Sequence, residues 1–334
     1  HYYTTELDEN YRDAKLNVKL DLKNTYQSQV SDYSIEVDIW NKNQESILKS
    51  PLKKKKVSLR SEANKEIHFT KNISNPKKWS AESPYLYTLV FKLINENGEI
   101  SETFTKKLGF REVEIKDKQV LVNGEPVKFN GVNSHMHHPK YGRYVPDSTL
   151  KKDLKIMKRY NINCVRTSHY PPAPKYLEYA DELGLYVVDE VNDEAHSNTQ
   201  LSEDSTWRDM YKNRTKGLIH RDKNHASIII WSAGNESGHG KNIDAVIEKG
   251  KSIDSTRPDW LYGGNGGKYP FEDIIGPRYP GITTLRQVAL DSSDTRPSFM
   301  DEYIAVSGNS LGGLDEYWDL IYEYPKLTGG AIWD

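Results

Sequence analysis

Two glutamates close apolar runs of a kind that barrel strands would supply. Glu236 stands behind Asn235 at the end of IIIWSAGNESGHG, and Glu302 ends the run SFMDEY. Two carboxylates facing one cavity are the minimum apparatus for glycoside hydrolysis: one protonates the leaving oxygen, and the other attacks the anomeric carbon or activates water. Either glutamate alone would read as a surface or salt-bridged side chain. Placing both at strand ends favours chemistry. A third run, VVDEVNDEAHS, offers Asp189, Glu190, Asp193, Glu194 and His196. Glu194 and His196 fall one rung from Glu236, and carboxylates with one imidazole suit a hard divalent ion such as Mg²⁺. A hydrogen-bonded loop is the plain alternative.

His135, His137 and His138 in NSHMHHP and Arg166 and His169 in VRTSHYP end two further apolar runs. Histidine clusters can bind zinc, but this spacing is a weak zinc signal, and on a barrel rim these side chains suit sugar hydroxyls. Trp333 would be either a platform for the apolar face of a pyranose or a core residue. Cys164 has no base beside it and reads as a buried, inert thiol.

The elements that must carry these residues follow from periodicity. Leu16, Val18, Leu20 and Leu22 alternate with polar residues, as do Ile35, Val37 and Ile39, which is the period of half-buried strands. Further strands are expected at 57–59, 67–69, 85–93 and 100–107, with a hairpin turn at Asn97 and Gly98. Short strands without helices predict an immunoglobulin-like sandwich over residues 1–110.

From residue 111 strands alternate with helices. Strands are expected at 127–132, 164–168, 186–191, 227–232, 260–263, 274–279, 297–303 and 329–333. One helix carries Leu150, Leu154 and Met157 behind the capping candidates Asp147 and Ser148; another carries Leu177, Ala180 and Leu183 and ends at Gly184. Eight such strands over 111–334 fit a (β/α)8 TIM barrel, whose chemistry sits where its strands end. The barrel is expected to lack its last helix after strand eight. That would leave part of its outer face exposed and the piece only marginally stable.

The chain has 334 residues, with 46 basic against 48 acidic side chains and a formal net charge of −2. This balance gives no footprint for nucleic acid or an acidic membrane; the lysines at 53–56 are a local exception and read as a solvated loop. No run approaches ~18 apolar residues and no signal peptide is recognisable, so a soluble chain is expected. The single cysteine excludes an internal disulfide and fits a reducing compartment. Cytoplasmic, periplasmic and secreted locations all remain open, with the cytoplasm preferred. A start at His1 and an end inside an apolar run suggest a piece of a longer polypeptide.

The blocks WSAESPYLYTL, GFREVEI, FNGVNSHMHHP, VRTSHYP, YVVDEVNDEAH, RDKNHASIIIWSAGNESGHG and the segment from DEYIAVSGNSLGG to GGAIWD resemble, in order, those of glycoside hydrolase family two. Within that family they are similar to β-galactosidases of the bacterial lactose-hydrolysing type. The resemblance implies a retaining exo-β-galactosidase with Glu236 as general acid/base and Glu302 as nucleophile. It further implies that Asn235 holds the 2-hydroxyl and Tyr279 in GPRY hydrogen-bonds the nucleophile. His135 and His169 would contact the sugar, and Trp333 would line its pocket. Glu194, His196 and Glu236 match the family's Mg²⁺ ligands, and a homo-oligomer is a state it allows for the full-length protein.

Some positions depart from that pattern. Ala305 stands where the family has a histidine for the galactose 6-hydroxyl, and Ser134 and Met136 replace an arginine and a glutamate. The family's sodium site draws on segments outside this chain, so no intact sodium site is expected here. Two alternatives accompany the leading expectation: the same chemistry on a 6-substituted galactose from an algal or host glycan, and a non-catalytic carbohydrate-binding fragment.

Overall fold

The computed structural model describes residues 1–257, 260–263, 269–308 and 312–334. His1–Trp79, Ser83–Arg111 and Asn224–Ala226 form one compact unit; Ser80–Glu82, Glu112–Lys223 and Ser227–Asp334 form a second.

The first unit is a sandwich of two antiparallel sheets. Its strands are β1 (Tyr2–Leu7), β2 (Ala14–Lys23), β3 (Val30–Trp40), β4 (Leu52–Leu59), β5 (Asn64–Ile73), β6 (Tyr87–Ile94) and β7 (Ile100–Leu108). One sheet has the order β1-β2-β5 and the other β4-β3-β6-β7, giving the immunoglobulin-like architecture expected. Alternation does the positioning: Leu16, Val18 and Leu20 on β2 and Ile35, Val37 and Ile39 on β3 are buried. Each such side chain contributes roughly 1.5–3 kcal/mol by leaving water. The β6–β7 turn falls where Asn97 and Gly98 predict it, with Gly98 at φ +83.

One strand of this unit has no counterpart among those expected, and one expectation needs correction. Strand β1 carries no apolar alternation, since only Tyr3 is buried on it. It forms by pairing in full register with β2. The lysine run is strand rather than loop: residues 53–56 lie on β4, which pairs only with β3. Lysines on an edge strand expose charge where another chain could otherwise add.

The second unit opens with a meander of β8 (Val113–Lys116), β9 (Gln119–Val122) and β10 (Glu125–Pro126). Its tight turns hold Asp117 and Lys118, then Asn123 and Gly124, all at positive φ. Seven parallel strands follow: β11 (Phe129–Asn133), β12 (Cys164–Arg166), β13 (Tyr186–Glu190), β14 (Ile228–Asn235), β15 (Trp260–Gly263), β16 (Ser298–Tyr303) and β17 (Leu327–Ile332). They pair in the order β15-β14-β13-β12-β11-β17-β16. Every residue of β13 and β14 is buried, as parallel strands covered on both faces require.

Among the described residues six α-helices separate these strands: α1 (Asp147–Arg159), α2 (Pro174–Leu183), α3 (Arg208–Asp222), α4 (Lys241–Ile253), α5 (Ile282–Leu290) and α6 (Leu314–Glu323). Leu150 and Leu154 bury the inner face of α1, but Pro146 stands at its N-cap, so neither Asp147 nor Ser148 caps it. Gly184 ends α2 at φ +75, in the left-handed conformation expected of it.

The strand expected at 274–279 is reduced to one parallel bridge, Ile275 to Ser298. Pro277 has no N–H to add to a ladder, so pairing stops there. The bridge nevertheless curls the sheet closed. Asp273 N–H donates to Trp260 O at 2.9 Å on one side, and Ile275 N–H donates to Pro297 O at 2.9 Å on the other. Among the described residues no helix is long and apolar enough to cross a membrane.

Glu272, just before that bridge, is buried, and its Oε1 has no partner among the described residues. Burial pushes its carboxyl up to about 9 despite the nearby Arg296. Above the ordinary 4.5 the unfolded chain gives up this proton while the folded chain keeps it. Stability on this account is complete below pH 4.5 and falls as pH rises towards 9. Glu272→Gln removes that slope. Between pH 5 and pH 8.5 the barrel unit's melting temperature should fall less in the variant than in the unmodified protein, and equal falls would refute the assignment.

Candidate active site

The strand ends of the second unit converge on one buried guanidinium. Arg166, the last residue of β12, is fully buried. Its Nε donates to Glu190 Oε2 at 2.7 Å, and its Nη1 donates to Asn133 Oδ1 at 3.0 Å and Glu302 Oε1 at 3.0 Å. Its Nη2 donates to Asn235 Oδ1 at 2.9 Å. The partners come from β11, β13, β14 and β16, so one side chain gathers the ends of four other strands. Burial works against its charge, but Glu190, Asp301 and Glu302 outweigh that and hold its pKa above the ordinary value. Glu190 responds in kind: burial would raise its carboxyl, and Arg166 with His169 overrides this, holding it down to about 2.

Glu302 is buried on this floor. Besides Arg166, the Tyr279 hydroxyl donates to its Oε2 at 2.8 Å, the contact the resemblance implies. Burial first, then the hydrogen bond to Glu302, keeps the Tyr279 phenol well above its ordinary range, so it remains a donor. His169 places Nδ1 2.8 Å from Glu190 Oε1, leaving Nε2 3.9 Å from Glu302 Oε1. Trp333 stacks on the His169 ring at 5.1 Å and meets His135 edge-on at 5.6 Å. His135 Nδ1 lies 3.2 Å from the Tyr170 hydroxyl. Burial and the neighbouring His169 hold the His135 imidazole below its ordinary value, so it is neutral near pH 7, which suits an uncharged hydroxyl.

Glu236 follows β14. Gly234, at φ +138, turns the chain there, and a Cβ at that position would stand 2.7 Å from Asp193. Glu236 itself takes φ +39, a costly conformation for a non-glycine residue. Its Oε2 faces His196 Nε2 at 2.9 Å, and its Oε1 accepts from Arg278 Nη1. Asn235 donates through Nδ2 to Glu194 Oε2 at 2.7 Å.

His135, Arg166, His169, Asn235, Glu236, Tyr279, Glu302 and Trp333 therefore form one connected cluster. Arg166, expected to meet sugar hydroxyls, is instead fully buried, and its contacts are to protein acceptors; here it braces Glu302. Glu190, Asn133, Asp301 and Arg278 belong to the cluster too, although no role follows for them from sequence. The DE pair in SFMDEY and the arginine in GPRY were the visible signals: charges at the end of an apolar run. His137 stacks on His135 at 5.5 Å, and His138 turns outward onto Tyr141 at 4.7 Å. Cys164 is buried, and burial drives its thiol far above the ordinary value. Within GNSLGG, residues 309–311 lie outside the described residues.

The expected magnesium ligands are adjacent without forming a cage. His196 lies between the two carboxylates, with Nδ1 3.6 Å from Glu194 Oε1 and Nε2 against Glu236. Glu194 Oε2 is taken by Asn235, and Glu236 Oε1 by Arg278. Among the described residues no three histidine, cysteine, aspartate or glutamate side chains converge on one ion position.

Residues 1–111 match glycosyl hydrolases family 2, and residues 113–334 match the TIM barrel domain of the same family. The chain belongs to glycosyl hydrolase family 2. A beta-galactosidase of Pseudoalteromonas haloplanktis is 40% identical over 349 residues, covering 100% of this chain and 33% of the relative. One of Vibrio vulnificus strain CMCP6 is 40% identical over 351 residues, with the same coverage. This family 2 chain thus spans about a third of the length of the curated relatives it matches. Among solved structures, a beta-glucuronidase of Bacteroides uniformis superposes with a TM-score of 0.87 at 20% identity, covering 100% of this chain and 45% of its own. A family 2 member from Bacteroides cellulosilyticus gives 0.84 at 22%, covering 99% of this chain and 43% of its own. At such identities the likeness is one of fold.

Arg166→Met should leave buried Glu190 without its guanidinium and Glu302 with Arg278 as its one remaining guanidinium, and cost ~3–5 kcal/mol at pH 7. Glu190's share of stability is present above its ordinary 4.5 and is lost as pH falls through about 2. The deficit measured by urea denaturation should therefore shrink in acid. A variant as stable as the unmodified protein at pH 7 would contradict the pairing.

Proposed function

We propose that this chain carries the catalytic centre of a retaining exo-β-galactosidase, with residues 1–110 as an immunoglobulin-like domain and 111–334 as the catalytic barrel. The observation that carries the reading is Glu302, buried between Arg166 and Tyr279, with Glu236 on the same guanidinium that reaches Glu302. One guanidinium touching both carboxylates supports a short separation, of the about 5–5.5 Å that retaining enzymes use. The beta-galactosidase names of the relatives supply the sugar.

In this reading a Glu302 oxygen attacks the anomeric carbon while the glycosidic C–O bond breaks and the proton of Glu236 passes to the departing oxygen. The galactosyl group is then an ester on Glu302. Water attacks the same carbon, Glu236 takes its proton, and Glu302 leaves as carboxylate. Arg166 and Tyr279 stabilise that carboxylate before attack and after release. Asn235, His135 and His169 hold sugar hydroxyls, and Trp333 packs the apolar face of the ring. Ala305, exposed beyond β16, offers no side-chain hydrogen bond, which leaves the 6-position open to a substituted galactose.

Glu302→Gln should abolish turnover of every β-galactoside. Glu236→Gln should cost ~10²–10⁴-fold on alkyl galactosides. It should spare the first step for an activated aryl galactoside, whose leaving group needs no proton. Steady-state and burst kinetics on both substrates check this; equal losses in Glu236→Gln on both would exclude the assigned roles.

A further inference from the structure

Arg278 precedes Tyr279, and neither the family pattern nor the sequence assigns it a role. Its side chain is buried in the site. Nη1 donates to Glu236 Oε1. Nη2 donates to Asn235 Oδ1 at 2.6 Å and to Asp301 Oδ2, and lies 3.3 Å from Glu302 Oε1. Among the described residues, Arg278 alone pairs with both glutamates. Burial opposes its charge, but Asp301, Glu302 and Glu236 together hold it firmly protonated.

The two carboxylates need such a link. They stand on different strand ends, and Glu236 sits just past its strand in a strained conformation. Glu236's other contact, His196, has a side chain 65% exposed, so it is a weak anchor. A planar guanidinium with two terminal nitrogens fixes both the distance and the relative plane of two acceptors; a lysine ammonium would fix neither.

We infer that Arg278 is a positioning residue that sets Glu236 at a fixed distance from Glu302, with Glu236 Oε1 as the anchored oxygen and Oε2 as the one turned to the leaving group. This rests on the proposed roles of the two glutamates. Arg278 acts through the two carboxylates rather than on the sugar. The competing account is a strut that only neutralises Asp301. A strut would lower stability and slow all substrates alike, whereas a positioning residue for the acid/base slows substrates in proportion to their need for a proton.

The test compares the full-length protein with R278A, R278Q and R278K on methyl β-D-galactoside and 2,4-dinitrophenyl β-D-galactoside. For R278A the inference expects kcat/KM to fall ~10²-fold on the methyl substrate and under ~10-fold on the dinitrophenyl one. Millimolar guanidinium chloride should restore part of the loss, and R278K should not recover it. R278Q serves if R278A does not fold. Equal losses on both substrates, or no loss, would overturn the inference. If the unmodified protein turns over neither galactoside, the galactosidase reading fails instead. Crystal structures then decide the inference: a Glu236 carboxylate displaced from Glu302 in R278Q upholds it, and an unmoved one refutes it.

Discussion

A guanidinium sealed from water cannot stand alone, and the barrel unit is organised around that constraint. Arg166 is fully buried, so its charge must be met by carboxylates equally removed from solvent. Glu190 and Glu302 meet it, and Asn133 and Asn235 take the donors left over. Because these partners end four other strands, the energetic requirement for pairing is also a geometric one. The strand ends must come together before the charges can be buried, and once buried they cannot easily part. Glu302 therefore has a fixed place with a hydrogen bond to each oxygen, one from Arg166 and one from Tyr279.

The rim around that floor is less relaxed. Glu236, Tyr279 and Ile304, each just beyond a strand or bridge, all adopt positive φ without being glycine. Such conformations cost about 1–3 kcal/mol each and persist where the surroundings over-determine them. Here the surroundings are ionic. Arg278 ties Glu236 to Asp301 and Glu302, and the Tyr279 hydroxyl is spent on Glu302. The stability of the fully buried floor thus offsets the strain of the partly exposed rim.

Much of this was legible in the chain. Parallel strands buried on both faces are apolar throughout, so an abrupt polar residue at their ends stands out; Glu236, Glu302, His135 and His169 stand out in this way, and the structure gathers them. Leu16 to Leu22 and Ile35 to Ile39 announced strands because one face of each must stay dry. Contacts between elements distant in sequence were not legible. Asn133, Glu190, Asp301 and Arg278 matter because of what stands across from them, more than a hundred residues away in the case of Asn133 and Asp301. Strand β1 forms by pairing rather than by pattern, and β4 hides its strand character under lysines. The strand expected at 274–279 is cut short by Pro277, whose lack of an N–H outweighs the two isoleucines before it.

The central claim is that Glu302 is the nucleophile of a retaining galactosidase. Peptide mass spectrometry after incubation with 2-deoxy-2-fluoro-galactosyl fluoride tests it most directly, because the reagent forms the glycosyl ester quickly and loses it slowly. The account predicts one fluorogalactosyl adduct, on Glu302. An adduct on a different carboxylate, or unchanged Glu302 peptide in a protein that hydrolyses β-galactosides, would contradict it.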